Sequence, residues 1–133
     1  MSYRIMIVGD DYWTATTLAL ELKEQGSKVA GPFNSVSEAF GFLRGQERPD
    51  AAILDIRLRS TDTFSVADML MQGGIPFVFT SGCAKDQLPT RFAQVPRIEK
   101  PFVASACVDV ALALAEAGSP DLFPVTVLAG SSG

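Results

Sequence analysis

The chain has 133 residues, of which 47% are hydrophobic and 20% are charged, and its formal net charge is −4. This length suits one globular domain with a core of its own. The excess of acidic residues gives no electrostatic reason to bind nucleic acid or an anionic membrane. Because the sequence contains no histidine, histidine acid–base catalysis and histidine metal sites are excluded.

Signals for targeting and for disulfide bonds are missing from the sequence. No apolar stretch approaches the roughly 20 residues that span a bilayer. The segment Met1-Ser2-Tyr3-Arg4 runs into a strand without the architecture of a signal peptide. Cys83 and Cys107 do not have the spacing of metal ligands. We therefore expect a cytoplasmic protein with reduced cysteines that contacts neither nucleic acid nor membrane.

Short apolar runs alternate with helical patterns along the chain, which predicts βα units around a parallel sheet. The first strand covers about Arg4–Val8, and a helix follows over about Thr14–Gln25. A short second strand, Lys28–Ala30, ends at Gly31-Pro32. The sequence Ser35-Val36-Ser37-Glu38 is typical of a capping box that opens the second helix.

The same alternation continues through the second half of the chain. Ala51–Asp55 is apolar up to its last residue, as expected of a central strand that is covered on both faces. Prolines interrupt the weakly helical pattern of Ala84–Val95, which favours a short or irregular fourth helix. The remaining predicted elements are a helix over Phe64–Gln72, a strand over Phe77–Thr80, a strand near Arg97–Glu99 and a helix over about Val103–Ala117.

This order of elements predicts an α/β fold with a flavodoxin-like, doubly wound (βα)5 sheet in the strand order 2-1-3-4-5. The domain covers residues 1–118. Residues 119–133 form a C-terminal tail with one β-prone stretch, Val125–Leu128, and their interpretation as partly disordered or vector-derived is left open.

Polar side chains follow four of the predicted strands, at the point where each strand ends. The carboxyl ends of parallel strands meet at one edge of a sheet, and sites form there. An acid pair, a further acid, a hydroxyl and a lysine at one edge are what a magnesium-dependent phosphoacceptor aspartate requires. The candidate residues are Asp10, Asp11, Asp55, Ser81 and Lys100.

These residues resemble the receiver domains of two-component response regulators over about residues 3–117. A closer likeness is to the stand-alone bacterial receivers of the FAT GUY group, whose fourth-strand motif reads Phe-Ala-Thr-Gly, an apolar residue and Tyr. The corresponding segment here is Phe79-Thr80-Ser81-Gly82-Cys83-Ala84. Gly74-Ile75-Pro76-Phe77, Leu88-Pro89 and Lys100-Pro101-Phe102 also resemble that group.

The resemblance implies a role for each candidate residue. Asp55 would be the phosphoacceptor, and Lys100 and Ser81 would contact phosphoryl oxygens. Counting from Pro76 favours Ser81 as the hydroxyl of the family, with Thr80 pointing into the sheet.

The resemblance also implies a Mg²⁺ site. Its ligands would be Asp10, Asp55 and the backbone carbonyl of Arg57, with Asp11 reaching the metal only through water or after a backbone shift. The phosphoryl group would come from a sensor histidine kinase or a histidine phosphotransfer protein. The oligomeric state is left open.

Two departures from the family pattern affect this interpretation. The family has two acids directly after the first strand, whereas here Gly9 takes the first place and Asp10 the second. Fewer acids predict weaker Mg²⁺ binding. Many receivers also have an aromatic switch residue three positions before the lysine, where this chain has Arg97. The output is then expected to use other parts, such as the irregular Ala84–Val95 segment.

Three classes of function remain open from the sequence. The first is a stand-alone receiver that acts through protein contacts or as a phosphate sink. It would not be an enzyme, although it could catalyse its own phosphorylation and dephosphorylation. The second is a degenerate receiver that binds a partner without phosphorylation, favoured by Gly9 and Arg97. The third is a phosphatase or nucleotide-binding enzyme, disfavoured because position 57 is an arginine and Gly9-Asp10-Asp11-Tyr12-Trp13 is not a glycine-rich phosphate loop.

Overall fold

The computed structural model describes residues 2–59, 61–82 and 87–118. Its strands are β1 (Arg4–Val8), β2 (Lys28–Phe33), β3 (Ala51–Asp55), β4 (Phe77–Ser81) and β5 (Arg97–Glu99). Its helices are α1 (Tyr12–Glu24), α2 (Val36–Leu43), α3 (Phe64–Gln72) and α4 (Ala104–Ala117), with a 3-10 helix at Thr90–Phe92.

The strands form one parallel sheet in the order β2-β1-β3-β4-β5, which confirms the predicted α/β topology. Each strand presents alternate residues to the two faces of the sheet. On one face the core contains side chains of α1 and α4, and on the other face it contains side chains of α2 and α3. All five residues of β3 are buried, because this central strand is covered on both faces.

The second strand is longer than predicted. It was expected to end at Gly31-Pro32, but β2 continues to Phe33. Gly31 has a φ of +100°, which glycine adopts without the strain that other residues would incur. A Cβ there would also lie 2.7 Å from the amide nitrogen of Phe33. Glycine therefore permits a backbone conformation inside β2 that was expected from the sequence to end the strand.

The connection from β4 to β5 is irregular, as predicted. Between residues 87 and 96 it contains one turn of 3-10 helix, Thr90–Phe92, in place of a full α-helix. Phe92 is fully buried against the rings of Phe64, Phe77 and Phe79. One aromatic side chain thus covers this part of the sheet.

The second helix begins as predicted, and where other boundaries depart from the predictions they do so by one or two residues. The Ser35 hydroxyl accepts a hydrogen bond from the Glu38 amide at 3.1 Å. The Glu38 carboxylate accepts one from the Asn34 amide at 3.1 Å. The predictions for residues 119–133 and for Cys83 lie outside the described residues. Among the helices that the structure does describe, none is long and apolar enough to cross a bilayer.

Candidate phosphoacceptor site

Asp55 is a buried acid whose two carboxylate oxygens each have a different donor. It is the last residue of β3 and its exposed fraction is 8%. The Lys100 ammonium lies 2.8 Å from Oδ2, and the Thr80 hydroxyl donates to Oδ1 at 3.3 Å. Asp55, Lys100 and a hydroxyl therefore lie together, as the sequence predicted. The hydroxyl in contact with Asp55 is that of Thr80, whereas Ser81 was expected.

Strand register brings these three side chains together. Asp55 pairs directly with Thr80 across β3 and β4, and paired residues of parallel strands point to the same face. Lys100 directly follows β5, and its amide donates to the Ser81 carbonyl at 2.7 Å. Three consecutive strands therefore supply the site from their carboxyl ends.

Ser81 lies on the other side of the sheet from Thr80. Because side chains alternate along a strand, a step of one residue changes the face. Ser81 is fully buried and accepts a hydrogen bond from the Arg97 guanidinium at 3.2 Å. The expectation that Thr80 points away from the site is wrong, since Thr80 shares the face of Asp55. Counting from Pro76 favoured Ser81 as the hydroxyl of the family, and in the structure Ser81 ends β4 and contacts Arg97.

The environment of Asp55 favours its protonated form. Burial raises the pKa of the carboxyl above 3.8, although the hydrogen bond and charge of Lys100 and the hydrogen bond of Thr80 act in the opposite direction. The charge of Asp10 adds to the rise. A buried acid with a raised pKa beside a lysine is typical of a functional site.

The two acids after β1 have separate hydrogen-bond partners. The Asp10 carboxylate accepts from the backbone amide of Arg59 at 2.5 Å. Asp11 is the N-cap of α1 and accepts from the Thr14 hydroxyl at 2.6 Å. That hydrogen bond lowers the pKa of Asp11. Helix capping therefore accounts for Asp11 without a metal.

The loop after β3 is held by backbone contacts and one threonine. Arg57, whose carbonyl was predicted to bind metal, forms an isolated antiparallel bridge with Asp62. The buried Thr63 hydroxyl donates to the Asp55 carbonyl at 2.6 Å. This contact was not predicted from the sequence, and it anchors the start of α3 to the backbone of Asp55.

An open cavity of about 590 Å³ lies beside the site, between the start of α1 and the β5–α4 connection. The Trp13 side chain, at its rim, is 77% exposed. The cavity is lined by Asp11, Trp13, Thr14, Thr17, Leu18, Gly82, Lys100, Pro101, Phe102 and Ala104.

Comparison with solved structures of the same fold shows to which family this chain belongs. The solution structure of SdrG from Sphingomonas melonis Fr1 is 33% identical, covering 86% of this chain and 96% of SdrG with a TM-score of 0.72. The N-terminal domain of a response regulator/sensory box/GGDEF 3-domain protein from Carboxydothermus hydrogenoformans is 25% identical, covering 86% and 97% with a TM-score of 0.70. The chain belongs to the response regulator receiver family.

A third neighbour shares the fold at lower identity. It is the receiver domain of the sensor histidine kinase PA1611 from Pseudomonas aeruginosa PAO1, which has a magnesium ion coordinated in its active-site cleft. It is 18% identical, covering 87% of this chain and 99% of that domain, with a TM-score of 0.73. No protein-family model matches the sequence, and no match is found among curated proteins.

This receiver has space at Gly9 for the acid that it lacks. A Cβ at Gly9 would lie 3.6 Å from Cβ and from Oδ2 of Asp55, which is ordinary van der Waals contact. Within the described parts of the chain, no three acidic or cysteine side chains lie close enough together to hold a metal ion. The described site therefore has fewer carboxylates for a metal ion than the family pattern predicts.

Proposed function

We propose that this receiver accepts a phosphoryl group on Asp55 in two-component signalling. The observation that carries the proposal is the buried Asp55 carboxylate, held by Lys100 on one oxygen and by Thr80 on the other at the carboxyl ends of the strands. A carboxylate in this position can act as a nucleophile toward phosphorus. The adjacent lysine can neutralise charge that develops on the phosphoryl oxygens.

The transfer step requires little covalent chemistry from the receiver. A carboxylate oxygen of Asp55 forms a bond to phosphorus, and the bond from phosphorus to the donor breaks. The electron pair of that bond stays with the donor, which takes up a proton as neutral imidazole when the donor is a phosphohistidine. Lys100 would then exchange its contact with the carboxylate for one with the phosphoryl group. The Thr80 hydroxyl, which faces Asp55, would donate to another phosphoryl oxygen, whereas Ser81, the hydroxyl that the family motif implies for this role, would first have to turn away from Arg97.

The acids present at the site, Asp10, Asp11 and Asp55, are of the kind that binds Mg²⁺. The charge of Asp10 adds to the rise in the pKa of Asp55, so the two carboxylates interact electrostatically, and a cation between them would relieve that repulsion. Mg²⁺ is commonly held by one or two carboxylates together with water and phosphate oxygens. Asp10, Asp55 and the Arg57 carbonyl would hold the ion, with Asp11 acting through water. Bound there, Mg²⁺ would neutralise phosphoryl charge.

The phosphodonor would be a sensor histidine kinase or a histidine phosphotransfer protein. Asp55 is buried, so a donor has to dock closely for its imidazole to reach the carboxylate. The cavity with Trp13 at its rim offers a contact surface of mixed polarity that includes Lys100 and Phe102. We propose that this receiver acts in the cytoplasm either through protein contacts or as a phosphate sink.

We place the chain in the FAT GUY group on the motif residues. Phe79, Ser81, Gly82 and the sequence Lys100-Pro101-Phe102 support this placement. Thr80 stands where the group has alanine, and Ala84 stands where it has tyrosine. Thr80 is also the hydroxyl that contacts Asp55, so this departure changes the site itself.

A degenerate receiver is the second candidate. The hydrogen bonds of Asp10 to the Arg59 amide and of Asp11 to Thr14 favour it, because both carboxylates are satisfied without a metal. Such a module would bind its partner without phosphorylation and would not respond to Mg²⁺.

Intact mass after incubation with acetyl phosphate separates the two candidates. We expect wild type to gain one phosphoryl group in the presence of Mg²⁺ and not in excess chelator. Asp55→Asn should gain none, whereas Asp109→Asn, which changes an exposed acid of α4, should behave as wild type. If wild type gains no phosphoryl group from acetyl phosphate or from phosphorylated histidine kinases, the degenerate receiver is the correct assignment.

A further inference from the structure

The hydroxyl of Thr63 is directed at the backbone of the proposed acceptor. Thr63 is fully buried, and its Oγ1 donates to the Asp55 carbonyl at 2.6 Å, with a longer contact of 3.3 Å to the Ile56 carbonyl. Thr63 is also the N-cap of α3, where a threonine hydroxyl ordinarily accepts from an amide of the first turn. It makes no such hydrogen bond to the described helix. The hydroxyl therefore holds Asp55 and does not cap α3.

The peptide that joins Asp55 to Ile56 is held from both sides. Its carbonyl accepts from the Thr63 hydroxyl, and its amide, that of Ile56, donates to the Thr80 carbonyl of β4 at 2.9 Å. Because a peptide unit is planar, two opposed hydrogen bonds fix its orientation and with it the ψ angle of Asp55. That angle sets the direction in which the chain leaves β3.

Two backbone hydrogen bonds close the loop that follows β3. The Thr63 amide donates to the Ile56 carbonyl at 3.0 Å, and the Leu58 amide donates to the Thr61 carbonyl at 2.7 Å. The Arg57 carbonyl belongs to the same planar peptide as the Leu58 amide, and in a trans peptide the two groups point in opposite directions. The closure of the loop therefore sets the direction of the Arg57 carbonyl, which was predicted to bind metal.

We propose that Thr63 is a positioning residue for Mg²⁺ binding. Its hydroxyl fixes the path of the chain from Asp55 to Arg57, and so sets the spacing between the Asp55 carboxylate and the Arg57 carbonyl before the ion binds. Ligands that are already in place lose less freedom on binding, so the affinity is higher. This inference rests on the proposed function and assigns to that site a residue that touches neither the ion nor the phosphoryl group.

The test is a Mg²⁺ titration followed by Trp13 fluorescence in wild type, Thr63→Val and Thr63→Ser. Valine keeps nearly the shape of threonine without the hydroxyl, and serine keeps the hydroxyl. Ile75→Val is the control for a general loss of stability, because Ile75 is buried and precedes β4, at the opposite end of that strand from the site. Urea denaturation of each variant ensures that the titrations are made on folded protein.

We expect Thr63→Val to weaken Mg²⁺ binding by about tenfold, the low end of the cost of removing a hydrogen bond that supports a metal ligand. Thr63→Ser should bind Mg²⁺ nearly as tightly as wild type, and Ile75→Val should lower the stability without changing the affinity. Phosphorylation of Thr63→Val by acetyl phosphate should be slow at low Mg²⁺ and should recover in excess Mg²⁺, because the hydroxyl touches no reacting atom.

Equal Mg²⁺ affinities of Thr63→Val and wild type would overturn the inference. Equal weakening in Thr63→Val and Ile75→Val would also overturn it, because the affinity would then follow stability. If Thr63→Val does not fold, Thr63→Ala replaces it with the same expected result. In these cases wild type still gains its phosphoryl group, so the proposed function stands. If wild type neither responds to Mg²⁺ nor gains a phosphoryl group, the proposed function fails together with this inference.

Discussion

Thr80 and Asp55 are direct neighbours on β4 and β3, and the Thr80 hydroxyl donates to Asp55 Oδ1 at 3.3 Å. The contact lowers the pKa of Asp55 against the larger rise that burial causes. Ser81, one residue later, faces the opposite side and contacts Arg97. The two adjacent hydroxyls therefore have different partners: Thr80 contacts the Asp55 carboxylate, and Ser81 contacts the Arg97 guanidinium.

Replacing Thr80 by valine should shift the pH dependence of phosphorylation. Valine has nearly the shape of threonine but no hydroxyl, so Thr80→Val removes an interaction that lowers the pKa of Asp55. More of the acceptor is then protonated at a given pH, and the acid limb of the rate profile should move to higher pH. Rates with acetyl phosphate from pH 4 to 8 measure the shift.

Ser81→Ala is the control for that experiment, because it removes an equally buried hydroxyl that faces Arg97. It should slow the reaction without moving the acid limb. An acid limb that moves in Ser81→Ala and stays in place in Thr80→Val would contradict the assignment of the two hydroxyls.

Neutralising Asp55 should stabilise the fold at neutral pH. Burial raises the pKa of Asp55, so the folded protein keeps this proton to a higher pH than the unfolded chain does. As the pH rises from the ordinary value of 3.8 to the raised folded value, the unfolded chain loses the proton first and folding becomes less favourable. Above the folded value the cost is complete. Asp55→Asn should therefore raise the free energy of unfolding at pH 7, by about 1 kcal/mol.

Urea denaturation at several pH values measures this gain. The difference between Asp55→Asn and wild type should shrink as the pH falls through 3.8, because well below that value Asp55 is protonated in both states. The exposed-site control, Asp109→Asn, should change stability little at any pH. A gain that grows on acidification would show that the charged form of Asp55 is favoured in the folded protein.

An acid at position 9 should strengthen Mg²⁺ binding. The Cβ of Gly9→Asp would be in ordinary contact with Asp55, so a new carboxylate can be accommodated there. The added charge should tighten Mg²⁺ binding by about tenfold. Without metal, repulsion from Asp55 should lower the stability. Trp13 fluorescence during a Mg²⁺ titration is the measurement, since Trp13 lines the cavity with Asp11 and Lys100.

Gly9→Asn has nearly the same shape without the charge, and it should leave the Mg²⁺ affinity close to that of wild type. Equal tightening in both variants would mean that local shape, rather than ligand charge, limits metal binding at this site.

Truncating Phe92 tests whether one ring covers the sheet between β4 and β5. The Phe92 ring centroid lies 5.5 Å from that of Phe79 and 5.6 Å from that of Phe64, and the side chain is fully buried. Phe92→Ala should lower the free energy of unfolding by about 3–5 kcal/mol, the usual cost of removing a buried ring. Chemical denaturation measures it, with Leu88→Ala, at a partly buried position, as a milder comparison. A loss no larger than that of Leu88→Ala would contradict this role.

Sequence patterns predicted the sheet because its signals are local and strong. The run ending at Asp55 is apolar throughout, and the boundaries of β1, β3, α3 and β5 match the predictions. The end of β2 was missed because Gly31-Pro32 is a turn signal, and only the neighbouring β1 shows that pairing continues past it.

The sequence predicted which polar residues lie together at the strand ends better than it predicted their contacts. Asp55 and Lys100 follow from strand ends, because register is set by hydrophobic patterning. Which of Thr80 and Ser81 contacts the acceptor depends on the face of the sheet that each side chain occupies. Thr80 shares a face with Asp55, and Ser81 shares a face with Arg97. Such partners lie far apart in sequence, as does the Arg59 amide that Asp10 contacts.

Locating the phosphoryl group on the chain is the most direct test of the central claim. Wild type treated with acetyl phosphate and Mg²⁺ would be reduced with borohydride, which converts an aspartyl phosphate to homoserine, and its peptides would be mapped by mass. We predict homoserine at position 55 and at no other acid. Phosphorylated protein with an intact Asp55 and homoserine at position 10 or 11 would contradict the assignment of Asp55 as the acceptor.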